Sequence, residues 1–147
     1  MKVRRQARII AMQALFEIDM TNHDPATVLS ERFADKELPP EGEGFARALV
    51  MGTLAHRQEI DTLIARVAPE WPVDQIAAVD RAILRLAIYE LVFEGQASPK
   101  VVINEAVELA KLFGSDSSRR FVNGALGALV AQLPNLSAQA SAVRHEG

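Results

Sequence analysis

Basic side chains cluster at the start of the chain, before any acidic residue occurs. The four cations of this N-terminal cluster are Lys2, Arg4, Arg5 and Arg8. Cations at the N-terminus of a helix are repelled by the positive end of its dipole. Their presence there indicates that these charges serve a purpose other than stabilising the helix. Because arginine and lysine neutralise phosphates, the cluster predicts a surface for a nucleic acid, with a solvated, frayed terminus as the alternative.

A second group combines cations with an aromatic ring. Arg119 and Arg120 directly precede Phe121 at the expected start of a helix. Single-stranded RNA is bound by stacking its bases on aromatic or arginine planes while cations follow the phosphates. The sequence therefore offers both elements of an RNA contact at Phe121. Burial of this ring in the core is the alternative that residue type alone favours.

The sequence contains no arrangement of residues that is typical of an enzyme. Neither a GxxxxGK[ST] nor a complete GxGxxG motif occurs. His56 and Glu59 have the i, i+3 spacing of helical metal ligands, but no second pair completes a site, so His56 is expected to be structural. Glu105 and Glu108 are expected to be surface charges that pair with Lys111. We predict no catalytic residues, no metal and no cofactor.

Composition narrows the class of protein further. The 147 residues suit one domain or two tightly fused helical units, and the formal net charge is −3. There is no cysteine, which fits a reducing compartment. No apolar run is long enough to cross a bilayer, and the start lacks the apolar core of a signal peptide. A cytoplasmic protein without a membrane role is therefore expected.

Helical periodicity runs through nearly the whole chain and predicts an all-α fold. Helices are expected at about residues 3–20, 25–33, 45–67 and 73–93 and in a pair over 101–129, with a loop over 36–44. The stretch 73–93 is apolar on most sides, which is typical of a central helix. Residues 1–133 are expected to form a single helical domain. After Pro134 the composition turns to Ala, Ser and Gln, which predicts a disordered tail over 134–147.

Single residues give three further local predictions. Gly114 follows the first helix of the last pair, where a left-handed C-terminal cap would lie. Asp80 could cap a helical segment inside the apolar stretch, because its side chain offers an N-cap oxygen. Trp71 stands between Pro69 and Pro72 and is expected to pack a loop.

Three segments resemble the NusB family of bacterial transcription antitermination factors. RRQARIIAMQALFEID resembles the family's arginine-rich opening helix, and AAVDRAILRLAIYEL resembles its central helix. VVINEAVELAKLFGSDSSRRFVNGALGAL resembles its C-terminal signature. The three segments occur in the family's order and cover most of the chain. The resemblance implies two perpendicular three-helix bundles around a central apolar helix.

The resemblance also implies a function and a set of site residues. It implies a non-catalytic protein that binds boxA-type single-stranded RNA of ribosomal RNA leader transcripts together with the ribosomal protein NusE, within the RNA polymerase antitermination complex. A homodimer is possible, because some members form one. The family's RNA contacts carry over onto Arg4, Arg5, Arg8, Phe16, Lys100, Arg120, Phe121 and Asn123. A contact with NusE carries over onto Asp80.

Two other functions remain open at this point. The chain could be the RNA-recognition domain of a ribosomal RNA methyltransferase, since such enzymes can carry a NusB-like domain. That reading requires a downstream nucleotide-binding domain with a glycine-rich loop, and the sequence ends before one. The chain could also be a helical protein–protein adaptor without RNA binding, in which an acidic protein contacts the first-helix arginines.

Overall fold

Residues 2–132 are described by a computed structural model, and the regular structure within this range is entirely helical. Its α-helices are α1 (Val3–Thr21), α2 (Pro25–Asp35), α3 (Pro40–Ala55), α4 (Arg57–Val67), α5 (Ala78–Ile88), α6 (Pro99–Phe113) and α7 (Ser118–Gln132). A 3-10 turn at Val73–Gln75 precedes α5, and a π-helical segment at Tyr89–Glu94 continues it. The all-α expectation is confirmed, whereas the tail expected over 134–147 lies outside the described residues.

The helices form two groups with α5 between them. α1, α2 and α3 pack on one another, while α6 packs along α7 and α7 also contacts α4. α5 contacts helices of both groups, and every residue from Asp80 to Ile88 is buried. The expectation of a central apolar helix is therefore confirmed. Within residues 2–132, none of the helices is both long and apolar enough to span a bilayer.

Two helices begin where local sequence signals place their starts. The Asp24 side chain accepts a hydrogen bond from the backbone N–H of Thr27 at 3.1 Å, and Pro25 occupies the first turn of α2. The Ser98 hydroxyl accepts a hydrogen bond from the backbone N–H of Val101 at 3.3 Å ahead of α6. Both caps satisfy N–H groups that have no partner within the helix, which is why these starts are well defined.

The continuous helix expected over 45–67 is wrong. The chain breaks at His56, whose φ of −108° and ψ of 17° separate α3 from α4. α3 also begins earlier, at Pro40, so the loop expected over 36–44 extends only to Pro39. Proline fits the first helical position, and Glu41 and Glu43 in the first turn favour the positive end of the helix dipole.

The left-handed cap expected at Gly114 is also wrong. Gly114 has φ −89° and ψ −172°, which is extended backbone. The turn into α7 is instead held by Ser118, whose buried hydroxyl accepts a hydrogen bond from the backbone N–H of Ser115 at 2.9 Å. A side chain of the next helix thus closes this turn.

An ion-pair network joins the C-terminal end of α1 to α4 and α5. Arg81 donates two hydrogen bonds to Asp19, of 2.6 and 2.9 Å, and Arg85 donates two to Asp61, of 2.9 and 3.0 Å. Arg85 also lies 3.4 Å from Asp19. Burial alone would raise the pKa of Asp19, but the hydrogen bonds and charge of Arg81 and Arg85 lower it overall. The carboxylate therefore stabilises the fold in its charged form.

Candidate nucleic-acid interface

The exposed arginines of the N-terminal cluster are held by side chains from other helices. The guanidinium carbon of Arg4 lies 4.3 Å from the ring centroid of Phe45 in α3, a cation–π contact. Arg5 donates a 3.0 Å hydrogen bond from Nε to Glu105 in α6. Both arginines remain exposed, so their other N–H groups face solvent. This arrangement can accept an anion without moving the helix.

Arg8 lies inside the protein rather than on this surface. Its residue is 5% exposed, and its guanidinium donates two hydrogen bonds of 2.9 Å to Glu90 in the π-helical segment. Burial alone would lower the pKa of Arg8, but the hydrogen bonds and charge of Glu90 raise it. With its donors directed inward, Arg8 has little surface for the direct RNA contact predicted from the sequence. Its observed contacts join α1 to the end of α5.

Glu105 belongs to the same cluster of charges. Besides its hydrogen bond to Arg5, it lies 3.8 Å from Arg8. The expectation that Glu105 pairs with Lys111 is wrong, because α1 supplies its partners from a distant part of the chain. A third acid, Glu94, follows in the π-helical segment, where burial and the charge of Glu90 raise its pKa. Of these three acids, Glu105 contacts the exposed Arg5 and Glu90 binds the buried Arg8.

The other residues predicted to contact RNA lie along α6 and α7. Lys100 is exposed in the first turn of α6, and Arg120 and Asn123 are exposed near the start of α7. Lys100 lies at the start of α6, whereas Arg120 and Asn123 lie near the start of α7, which follows the end of α6. Arg5 contacts α6 near its middle, through Glu105. The residues predicted to contact RNA therefore come from α1, α6 and α7.

The predicted aromatic contacts are only partly accessible. Phe16 and Phe121 are both partly buried and pack against the hydrophobic core. Phe121 also reaches a groove between the segment before α5 and the start of α7, with a volume of about 330 Å³. Its lining residues are Trp71, Gln75, Ile76, Ala77, Asp80, Ser117 and Phe121. Phe121 therefore combines core packing with an accessible face, and its contact with RNA stays a prediction.

Trp71 is the most exposed aromatic residue of this groove. It is 53% exposed, so the expectation that it packs a loop is wrong. Its indole therefore presents part of its surface to the groove. The sequence does contain the tryptophan, but its position across from α7 depends on the tertiary fold.

Asp80 forms part of the same groove and is buried rather than exposed. It is the third residue of α5, whose N-cap is Ala77, so the expected N-cap role is wrong. Asp80 is 7% exposed. Within the described residues, its buried Oδ1 atom has no hydrogen-bond partner. An unpaired buried acceptor costs about 1–3 kcal/mol of folding stability.

Comparison with known proteins decides the family. The sequence profile of the NusB family matches residues 5–131. The chain belongs to the NusB family. The transcription antitermination protein NusB of Roseiflexus sp. (strain RS-1) is 52% identical over 132 residues, covering 88% of this chain and 93% of that protein. The corresponding protein of Chloroflexus aggregans is 51% identical over 129 residues, covering 86% of each chain.

Solved structures agree with this membership. A structure of T. maritima NusB superposes with a TM-score of 0.81 at 35% identity, covering 87% of this chain and 90% of that one. A structure of the antitermination factors NusB and NusE in complex with dsRNA superposes with a TM-score of 0.83 at 28% identity, covering 90% and 98%. The NusB-like fold predicted from the sequence is thus confirmed, while the roles of single residues stay predictions.

His56 has contacts that fit the structural role expected for it in this NusB-family chain. Its ring stacks on Phe93, with centroids 4.0 Å apart and planes 15° from parallel. Its Nδ1 lies 3.2 Å from a carboxylate oxygen of Glu59. Across residues 2–132, no three histidine or acidic side chains come together in a way that could hold a metal ion.

Proposed function

We propose that this protein is a transcription antitermination factor that binds boxA-type single-stranded RNA together with the ribosomal protein NusE, within the RNA polymerase antitermination complex. The observation that carries this proposal is the exposed pair Arg4 and Arg5, held on Phe45 and Glu105 in a NusB-family chain. A solved relative of the family, bound to NusE and dsRNA, supports both partners. We further propose that the protein acts without catalysis and in the cytoplasm.

Electrostatics supports an RNA ligand at this surface. Arg4 and Arg5 lie in the first turn of α1, which contains no acidic residue to offset the positive end of the helix dipole. An anionic strand laid across this end relieves the repulsion between the cations and the dipole. Lys100 and Arg120 extend the positive charge along α6 and α7. A flexible strand can follow such a surface more easily than a compact anion can.

NusE is proposed to contact Asp80, as the family resemblance implies. Because Asp80 is 7% exposed, a NusE side chain would have to enter the groove to reach it. A methyltransferase domain is less well supported, since the chain covers 93% of the length of a relative named as an antitermination protein. A homodimer, which the resemblance allows, would have to leave the arginine surface open for RNA to bind.

The test is a titration of a short boxA-type RNA, with and without NusE, at several salt concentrations. The informative variant is the double change Arg4→Gln and Arg5→Gln, which keeps Arg8 and so preserves the buried pair with Glu90. Each phosphate contact contributes a slope of roughly −0.7 when log affinity is plotted against log salt for a single strand. Losing two contacts should flatten that slope by about 1.4.

The matched control is Arg66→Gln, which removes an exposed cation from the last turn of α4. It should leave the salt slope unchanged, and sedimentation of each sample should report any dimer. If the unchanged protein binds no RNA with or without NusE, the proposed function is wrong. If it binds RNA but the double variant keeps the full slope, the RNA surface lies elsewhere.

A further inference from the structure

We propose that Phe45 holds the Arg4 guanidinium as a stacking surface for one base of the bound RNA, which makes Phe45 a positioning residue for RNA binding. This inference rests on the proposed function, because it takes RNA as the ligand. Phe45 is not among the residues that the family resemblance implies. The inference also gives Arg4 a second role beside contact with a phosphate.

The contact between Arg4 and Phe45 covers one side of the guanidinium. Its central carbon lies over the Phe45 ring, 4.3 Å from the ring centroid. A guanidinium is planar and delocalised, so it packs well on an aromatic ring. Because Arg4 is nevertheless exposed, the side of its guanidinium that faces away from Phe45 is open to solvent. The group is thus supported from within and accessible from outside.

Phe45 is itself held by the interior of the protein. It is partly buried and packs against the hydrophobic core. The guanidinium carbon of the buried Arg8, one helical turn after Arg4, lies 5.3 Å from the same ring centroid. Arg8 is fixed in turn by its two hydrogen bonds to Glu90. The ring therefore has fixed neighbours, and it can orient Arg4 without the help of an acid.

The neighbouring Arg5 is held in a different way. Its Nε donates a 3.0 Å hydrogen bond to Glu105, whereas within residues 2–132 Arg4 forms no ion pair. A carboxylate occupies N–H groups at the edge of a guanidinium, while an aromatic ring covers a face of it. Arg4 therefore keeps its N–H groups for a phosphate and its outer face for a planar group. The two exposed arginines are expected to contact RNA differently.

An unpaired base suits the outer face of Arg4. Unpaired bases of single-stranded RNA stack on guanidinium planes as well as on aromatic rings. A guanidinium is only weakly hydrated, so covering its outer face costs little solvation. Its edge can still bind a phosphate of the same strand. Because every base has a flat π face, this contact adds affinity without selecting a sequence.

The main experiment compares Arg4→Lys with the matched variant Arg5→Lys in titrations of a short boxA-type RNA at several salt concentrations. Lysine keeps the positive charge and has no plane for stacking. Arg4→Lys should weaken binding about tenfold, as expected for one stacked base. The slope of log affinity against log salt should stay unchanged, because the phosphate contact remains. Arg5→Lys should keep its affinity within about threefold.

The role of Phe45 is tested by Phe45→Leu, which keeps an apolar side chain against the core and removes the ring. It should also weaken binding about tenfold. Combined with Arg4→Lys it should cause no further loss, because both changes remove the same stacked arrangement. Thermal unfolding checks that each variant folds, and Arg4→Lys changes only an exposed side chain.

A series of RNAs, each with one nucleotide made abasic, identifies the stacked base. One abasic position should weaken binding to the unchanged protein about tenfold and cause no further loss with Arg4→Lys. This series does not depend on the folding of Phe45→Leu. If every abasic position weakens binding to Arg4→Lys as much as to the unchanged protein, no base stacks on Arg4.

Three further outcomes overturn the proposal while the unchanged protein still binds RNA. If Arg4→Lys binds RNA with full affinity, Arg4 contacts only a phosphate. If the losses from Phe45→Leu and Arg4→Lys add, Phe45 does not act through Arg4. If Arg4→Lys weakens binding of NusE without RNA and leaves RNA binding intact, the outer face of Arg4 contacts the protein partner. Absence of RNA binding by the unchanged protein would remove this proposal and the proposed function together.

Discussion

Both ends of α1 form ion pairs between arginine and a carboxylate, but the two ends differ in how many cations they leave exposed to solvent. At its start, Arg8 binds Glu90 in the interior while Arg4 and Arg5 remain exposed. At its end, Asp19 lies between Arg81 and Arg85, and both of these arginines are buried. The end of the helix thus binds two buried arginines, whereas its start leaves Arg4 and Arg5 exposed. The difference teaches that exposure of the cations, rather than their pairing, marks the surface available to a ligand: Arg5 is paired with Glu105 and is still open to solvent.

The largest loss of folding stability is expected from breaking the ion pair between Arg8 and Glu90 near the start of α1. Arg8→Ala leaves the buried Glu90 carboxylate without its partner, which typically costs about 3–5 kcal/mol of folding free energy. Urea unfolding measures the loss. The matched control is Arg8→Met combined with Glu90→Leu, which removes both charges and should recover most of the stability. A cost below about 1 kcal/mol for Arg8→Ala would show that the pair does not anchor α1.

A smaller loss of folding stability is expected from removing the charge of Asp19 at the end of α1. Asp19→Asn should cost about 2–3 kcal/mol near neutral pH, since Arg81 and Arg85 lose a partly buried charged acceptor. The folded-state pKa of Asp19 is lowered, so its contribution is complete above the unfolded value of about 4. That contribution is lost as the pH falls from there through the folded-state pKa. The variant should therefore lose less stability than the unchanged protein on acidification, measured by unfolding at pH 7 and pH 3.

The smallest effect on stability is expected from Glu105→Gln. Its bond to Arg5 is partly exposed, so folding free energy should change by less than about 1 kcal/mol. Because the carboxylate competes with phosphate for Arg5, RNA affinity should rise a few-fold at low salt. Glu108→Gln on the same helix removes the same charge away from Arg5 and serves as the control. A fall in RNA affinity for Glu105→Gln would mean that the carboxylate positions Arg5 instead.

Some features of the fold that depend on neighbouring residues could be predicted from the sequence, although the caps expected at Gly114 and Asp80 were wrong. The start of α2 follows from Asp24 and Pro25, which act within one helical turn. The break at His56 could not be predicted, since neither proline nor glycine stands there. One tertiary contact nearby is visible only in the structure: Gly52 lies so close to the ring of Tyr89 that a Cβ atom would clash with it.

The candidate site was harder to predict for the same reason. Residue types alone identify the arginines of α1, but they do not show that Arg8 turns inward while Arg5 stays outside. That distinction depends on Glu90 and Glu105, which are distant in sequence. The groove likewise combines three separate segments, through Trp71, Asp80 and Phe121. Hydrophobic periodicity within one segment does not show which other segments it will contact.

The exposed position of Trp71 has an optical consequence. It is the single tryptophan among the 147 residues, so fluorescence excited in the red part of the indole absorption band comes from this one position. An indole that is half in water emits differently once a ligand covers it or quenches it. Light emission from the unlabelled protein thus reports whether the groove is filled.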